Sequence, residues 1–244
     1  MELGNNFGER ILKREEISKV LFNKIPEFIK SEPKNVQKVK KMVDTTAFFP
    51  GGKGLWLEDD QKDILPDILI LGQDFSHVEY YNQVASGDIK DIDGATWRNM
   101  IKLFKEAEID FNRCFFSNVF MGLRVSDSMT GNFPGKRSKT YVNESMQFLL
   151  FQIETIKPKV IITLGKNPAD ILSRLNVKGI EIFKNGEVLK TKDEGLKYDV
   201  DISGHKCAVL ALEHPSMRNS NVKRRVFKEF TGNLAEVEML KAVK

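Results

Sequence analysis

Asp67–His77 reads DILILGQDFSH. Ile68, Leu69, Ile70 and Leu71 form an unbroken aliphatic run, Gly72 interrupts it, and hydrogen-bonding side chains follow at once. A short strand without polar alternation is buried on both faces, as in a parallel sheet covered by helices. Open parallel sheets collect ligands at the carboxyl ends of their strands. The reading therefore places Gln73, Asp74 and His77 on a ligand-facing rim. A second string has the same grammar: KCAVLALEHPSMRN, Lys206–Asn219, ends an apolar strand on His214 and Ser216. Two of the three histidines of the chain fall in these two strings.

Working outward, RCFFSNVF (Arg113–Phe120) predicts a strand that delivers Asn118, and PKVIITLG (Pro158–Gly165) one that delivers Gly165 and Asn167. Helical spacing predicts helices over about 96–107, 142–156 and 221–240, with a short one opening at KNPADIL. Trp97, Met100, Ile101 and Phe104 share the apolar face of the first, so Trp97 reads as core. Asn185-Gly186 between extended runs predicts a hairpin. Strand and helix alternate, which predicts an α/β fold: a three-layer doubly wound sheet with a four-stranded parallel core. Ahead of it, about Glu9–Lys30 reads as an amphipathic helix that Pro26 kinks or ends, Val36–Val43 as a second short helix, and Phe48–Gly52 as a turn. Residues 1–60 are thus expected to form a helical extension packed on the core, and 61–244 the α/β domain.

The chain has 244 residues, 41% hydrophobic and 30% charged, with a formal net charge of +4 and a pI near 8.9. That balance is compatible with a nucleic-acid partner and does not require one. Cys114 and Cys207 both lie in predicted strands and read as buried, reduced thiols. Two cysteines exclude a four-cysteine zinc or iron–sulfur site made by this chain alone. The first residues lack the apolar core of a signal peptide, and no run approaches the ~20 apolar residues of a membrane span. The expectation is a cytoplasmic, soluble monomer without metal or cofactor.

If the strands are parallel, a carboxylate, a carboxamide and an imidazole meet on one rim. Such a set can offset positive charge, read an amide-like edge and donate to a developing oxyanion. Plainer roles stand beside these: Asp74 as a helix cap, Asn118 as a turn residue, His214 as a loop anchor.

These residues resemble the uracil-DNA glycosylase superfamily. Its best-known branch carries Gly-Gln-Asp-Pro-Tyr-His where this chain has Gly72-Gln73-Asp74-Phe75-Ser76-His77, and a last motif beginning His-Pro-Ser, as at His214-Pro215-Ser216. Asn118 in FFSNVF matches the asparagine after the second core strand, and PKVIITLGKNPADIL is similar to the stretch before the last motif. The resemblance spans roughly Pro66 to Phe230. It implies a monofunctional glycosylase that hydrolyses the N-glycosidic bond of uracil or a related damaged base in DNA and leaves an abasic site. Asp74 and His214 would be catalytic, the first facing an oxocarbenium-like sugar, the second donating to the base O2. Gln73, Asn118, Ser76 and His77 would surround the base, which must leave the duplex to be reached. Ser216, Met217, Arg218, Lys223, Arg224 and Arg225 would meet the DNA, with Met217 or Arg218 as a wedge and the cations on the backbone. Phe75-Ser76 departs from Pro-Tyr, whose tyrosine excludes the thymine methyl in that branch. Two other readings remain: a catalytically silent nucleic-acid-binding module of the same fold, and a hydrolase of free nucleosides or nucleotides.

Overall fold

Aliphatic alternation builds the sheet. The computed structural model describes residues 14–39, 65–126, 131–190 and 195–244. Within them, β2 (Ile68–Gly72), β3 (Cys114–Asn118), β5 (Val160–Leu164) and β7 (His205–Leu212) run parallel, and β6 (Leu196–Ile202) closes one edge antiparallel to β7. The order across the sheet is β3-β2-β5-β7-β6. All residues of β2, β3 and β5 are buried, the polar Ser117, Asn118 and Thr163 among them.

Alternate residues sort to two cores. Leu69, Leu71, Phe115 and Ile161 face one side, where α1 (Arg14–Phe28), α2 (Val78–Ser86), α4 (Lys139–Ile156) and α5 (Lys166–Leu172) supply Leu21, Val84, Phe148 and Ile171. Ile68, Ile70, Phe116 and Ile162 face the other, packed by Trp97 and Phe104 of α3 (Ala95–Glu106) and Leu240 of α7 (Asn233–Lys241). Helices thus cover both faces, and the sheet is doubly wound. The chain leaves β2 toward β3 over one face and returns past β2 to β5 over the other, so the winding reverses between β2 and β5. Loops diverge at such a reversal and leave a crevice at the strand ends.

The N-terminal helix is part of this packing: Ile17, Leu21, Ile25 and Ile29 join the first core, and Phe28 meets Phe148 and Phe151 at 5.6 and 5.2 Å between ring centroids. Pro26 lies inside α1, which ends two residues later. Among the described residues, no helix is long and apolar enough to cross a membrane.

Several local expectations are corrected. Val36–Lys38 is a strand, β1, paired antiparallel with β4 (Gly122–Arg124), where a second helix was expected. The start of the Glu9–Lys30 helix, residues 40–43 and the Phe48–Gly52 turn lie outside the described residues. Asn185-Gly186 is a kink within a 3₁₀ stretch, Glu181–Leu189; the hairpin lies instead at Ser203-Gly204, between β6 and β7. The expected 221–240 helix is broken: a 3₁₀ turn at Val222–Arg224 leads to a small β8–β9 hairpin (Val226–Phe227, Phe230–Thr231) before α7.

Candidate active site

Gly72 ends β2 level with Asn118 at the end of β3. A Cβ at Gly72 would collide with Asn118 Oδ1, so only glycine lets the carboxamide lie across the strand end. Asn118 is 1% exposed, and neither Oδ1 nor Nδ2 has a hydrogen-bond partner among the described residues. Leaving such a group unpaired costs about 1–3 kcal/mol. The site therefore holds a buried donor–acceptor pair ready for a ligand edge that offers one acceptor and one donor.

Asp74 is the opposite case, since every acceptor position is taken. Oδ1 accepts from the Ser76 backbone N–H (2.9 Å) and Arg124 Nε (3.0 Å); Oδ2 accepts from Arg124 Nη2 (2.7 Å) and Gln73 Nε2 (2.8 Å). The Asp74 and Arg124 side chains are each 5% exposed. Sequence reasoning did not single out Arg124. It closes β4, and its backbone N–H donates to Ser76 O at 2.9 Å, which fixes the guanidinium beside the Gly72–His77 turn. Ser76 adopts φ +71°, a left-handed conformation that a non-glycine residue holds only under constraint, and its Oγ is buried without a partner among the described residues. One signal of Arg124 was legible: a lone cation within the apolar run VFMGLRV, six residues after Asn118.

A polar chain extends from the carboxylate. Gln73 Oε1 accepts from Asn167 Nδ2 across the β2–β5 crevice, and Asn167 Oδ1 accepts from Lys136 Nζ at 3.0 Å. Lys136 also pairs with Asp170 at 3.0 Å. Burial opposes ionisation of Asp170, but the Asn185 N–H and the Lys136 ammonium outweigh it and hold the carboxyl below its ordinary range. Gly131 O accepts from Gln73 Nε2 (3.1 Å) and Arg124 Nη2 (3.0 Å), which brings the loop after β4 onto the same rim.

His214 follows β7 and caps a 3₁₀ turn, Pro215–Met217. Its Nδ1 accepts from Ser216 N (3.3 Å) and lies 2.8 Å from Ser216 Oγ, which leaves Nε2 to carry the proton. Burial pushes the imidazole below its ordinary value, and the Asp74 carboxylate opposes that only in part. The ring is a neutral Nε2–H donor at neutral pH. Gly165, at φ +88°, makes room: a Cβ there would stand 3.0 Å from His214 Cβ. Asn99 Nδ2 of α3 holds Pro215 O at 2.8 Å.

His77 caps α2, its Nδ1 accepting from Tyr80 N at 3.3 Å. Trp97 is core, 5.1 Å from Phe116 between ring centroids, and Tyr81 is buried against Phe75 at 6.2 Å. Ser216 is exposed, and so are Met217 (51%), Lys223 and Arg224. Arg218 and Arg225 are not where a DNA-contacting role would put them: they are 5% and 1% exposed. Arg218 pairs with the fully buried Glu236 and with Asn233; Arg225 lies 3.4 Å from Glu236 and donates to Val188 O (2.7 Å) and Ala211 O (2.8 Å). Glu236 itself accepts from Glu213 N at 2.7 Å. These guanidiniums satisfy buried carbonyls and a carboxylate beneath the His214 turn, and the exposed cations of this segment are Lys223, Arg224 and Lys228.

Burial and the neighbouring Glu236 carboxylate raise Glu213 above its ordinary value, against the pull of Arg225 and Arg218. A carboxyl raised in the folded state loses stability as pH climbs from its unfolded value, ~4.3, through the folded one. Glu213→Gln is therefore expected to raise the melting temperature at pH 7, with the gain vanishing below about pH 4. A lower melting temperature at pH 7 would show that the charged form is the one the fold uses.

A family model described as the uracil DNA glycosylase superfamily matches residues 61–236. No curated protein matches the chain.

Proposed function

The chain belongs to the uracil-DNA glycosylase superfamily, and from that premise we propose that it hydrolyses the N-glycosidic bond of uracil, or a closely related base, in DNA. The observation that carries this reading is the unpaired carboxamide of Asn118, since the superfamily alone supports glycosylase chemistry without naming the base. Uracil presents O4 as an acceptor beside N3–H as a donor, which suits Nδ2 and Oδ1 of one asparagine. Cytosine presents the reverse pattern at those atoms, and a buried polar mismatch is costly enough to reject it. Asn118 and Asp74 lie below the surface, beside the Gln73 and Arg124 bonds to Gly131 O, and the base must be extruded to reach them.

Bond cleavage makes an oxocarbenium-like sugar and an anionic base. The neutral Nε2–H of His214 suits the second charge: it donates to O2 as negative charge builds, without losing its own proton. Asp74 suits the first. Facing the sugar as a fixed anion needs no free lone pair. Holding the attacking water does need one, and Gln73 Nε2 is the neutral side-chain donor that can yield it. Met217, Ser216, Lys223 and Arg224 form the exposed group that would meet the duplex.

A second reading has one observation in its favour. A carboxylate with all four acceptor positions filled is also what a binding module that grips a flipped base without turnover would tolerate. The two are separated by incubating the protein with oligonucleotides that carry uracil, single-stranded and opposite guanine or adenine, then cleaving abasic sites with alkali. The expected result is strand cleavage whose rate falls on the acid side only below the ordinary histidine value of ~6.5, because burial holds His214 neutral down to lower pH. Absence of base release from uracil, hypoxanthine, xanthine and thymine mismatches, with binding retained, would leave the binding module.

A further inference from the structure

A cavity of about 230 Å³ lies against the outer side of the rim, lined by Asn35, Asn132, Phe133, Pro134, Lys136 and Arg137. Its lining holds two cations and two carboxamides and no carboxylate. Phe133, also in the lining, is 1% exposed and packs in the core. Lys136 meets the Asp170 carboxylate at 3.0 Å, and that carboxylate is shared with Arg174 at 2.9 Å. Among the described residues, the lining itself carries cations and no carboxylate. A volume several times the ~30 Å³ of one liquid water admits a phosphate with part of its sugar.

The cavity is wired to the site. Lys136, in its wall, reaches Asp74 through Asn167 and Gln73. Asn132 and Phe133 directly follow Gly131, whose carbonyl is held by Gln73 and Arg124. An anion bound here would sit on the strand that carries the target nucleotide, to one side of it. We propose that this cavity is a phosphate subsite that binds the nucleic-acid backbone flanking the target nucleotide, with Arg137 as the lining cation that has no ion pair among the described residues and Lys136 as the link to Asp74. The strand assignment rests on the glycosylase reading; the affinity for an anion does not.

The test uses the whole protein and an oligonucleotide with a tetrahydrofuran abasic analogue, which binds without turnover. Its affinity is followed from 50 to 200 mM salt. Each backbone contact on a single strand contributes about 0.7 to the slope of log K against log salt. Arg137→Gln is expected to reduce the slope by about 0.7, whereas Lys206→Gln, at the opposite end of β7, leaves it unchanged. In base release, Arg137→Gln is expected to raise KM and spare kcat, whereas Lys136→Met lowers kcat as well. A slope and affinity unchanged in Arg137→Gln would overturn the subsite. Inorganic phosphate and a nucleoside 5′-monophosphate are run beside the strand, and either binding as tightly as the strand would overturn the backbone assignment. If the wild type binds the strand with the expected Arg137 dependence but releases no base, the subsite stands and the glycosylase reading falls.

Discussion

Arg124→Met is expected to cost about 3–5 kcal/mol of folding stability, because it strands a buried carboxylate. Asp74 and Arg124 are each 5% exposed, and their two parallel contacts at 3.0 and 2.7 Å leave the guanidinium in bidentate register. The pair itself need not add much to stability over a hydrophobic replacement, since desolvation offsets its attraction. Removing one partner is different: the remaining charge keeps its desolvation cost and loses its compensation. Against a typical total of ~5–15 kcal/mol, such a loss is severe. Urea titration of the single variants and of Asp74→Asn/Arg124→Met checks it. The double variant should recover a substantial part of the loss, since an asparagine amide carries no charge to strand. A single variant within about 1 kcal/mol of the parent would mean that water reaches the carboxylate and that the pair is not a closed one.

Asp74→Asn should also cost stability, because it leaves the buried Arg124 guanidinium without its counter-charge, and it should remove most of the turnover. Asparagine keeps one oxygen to accept from Arg124 but presents an amide where Gln73 Nε2 and Arg124 Nη2 now donate. Gln73, a partly exposed side chain, can turn away from the amide, whereas Arg124, 5% exposed and bonded to both carboxylate oxygens, cannot. What disappears is the fixed negative charge opposite a sugar that becomes cationic. A rate loss of about 10²–10³ is expected, the scale typical of removing one preorganised electrostatic group from a transition state. Single-turnover base release gives the rate, and binding of the abasic-analogue strand gives the control. Turnover retained within a few-fold would assign the sugar-facing charge elsewhere and remove Asp74 from the chemistry. Loss of binding and turnover together would instead mark a structural role.

Much of the architecture could be read from local pattern, and the reason is solvent exclusion. ILILG, CFFSN and VIITL are apolar on both faces, and only a sheet covered by helices on both sides hides both faces. Their carboxyl ends then had to share an edge, so Asp74, Asn118 and His214 could be named together before any coordinates. The turns were less legible. Asn185-Gly186 and Ser203-Gly204 both adopt positive φ, yet only the second joins paired strands. The first is captured by distant groups: Asn185 N–H donates to Asp170 Oδ1, and Gly186 backs against Lys166. A dipeptide supplies the bend, but the partners of its flanks choose the structure.

Charged residues marked the other limit. Arg218 and Arg225 sit in a run of basic residues that looks solvated, and they prove to be buried around Glu236, a residue 11 to 18 positions further along. Arg124 sits in an apolar stretch and proves to hold Asp74 from 50 positions away. Apolar periodicity is a local signal, because burying a face depends on spacing along one element. Ion pairing depends on which elements the fold lays side by side, and that is decided only when the loops after β2, β4 and β5 close over the same crevice.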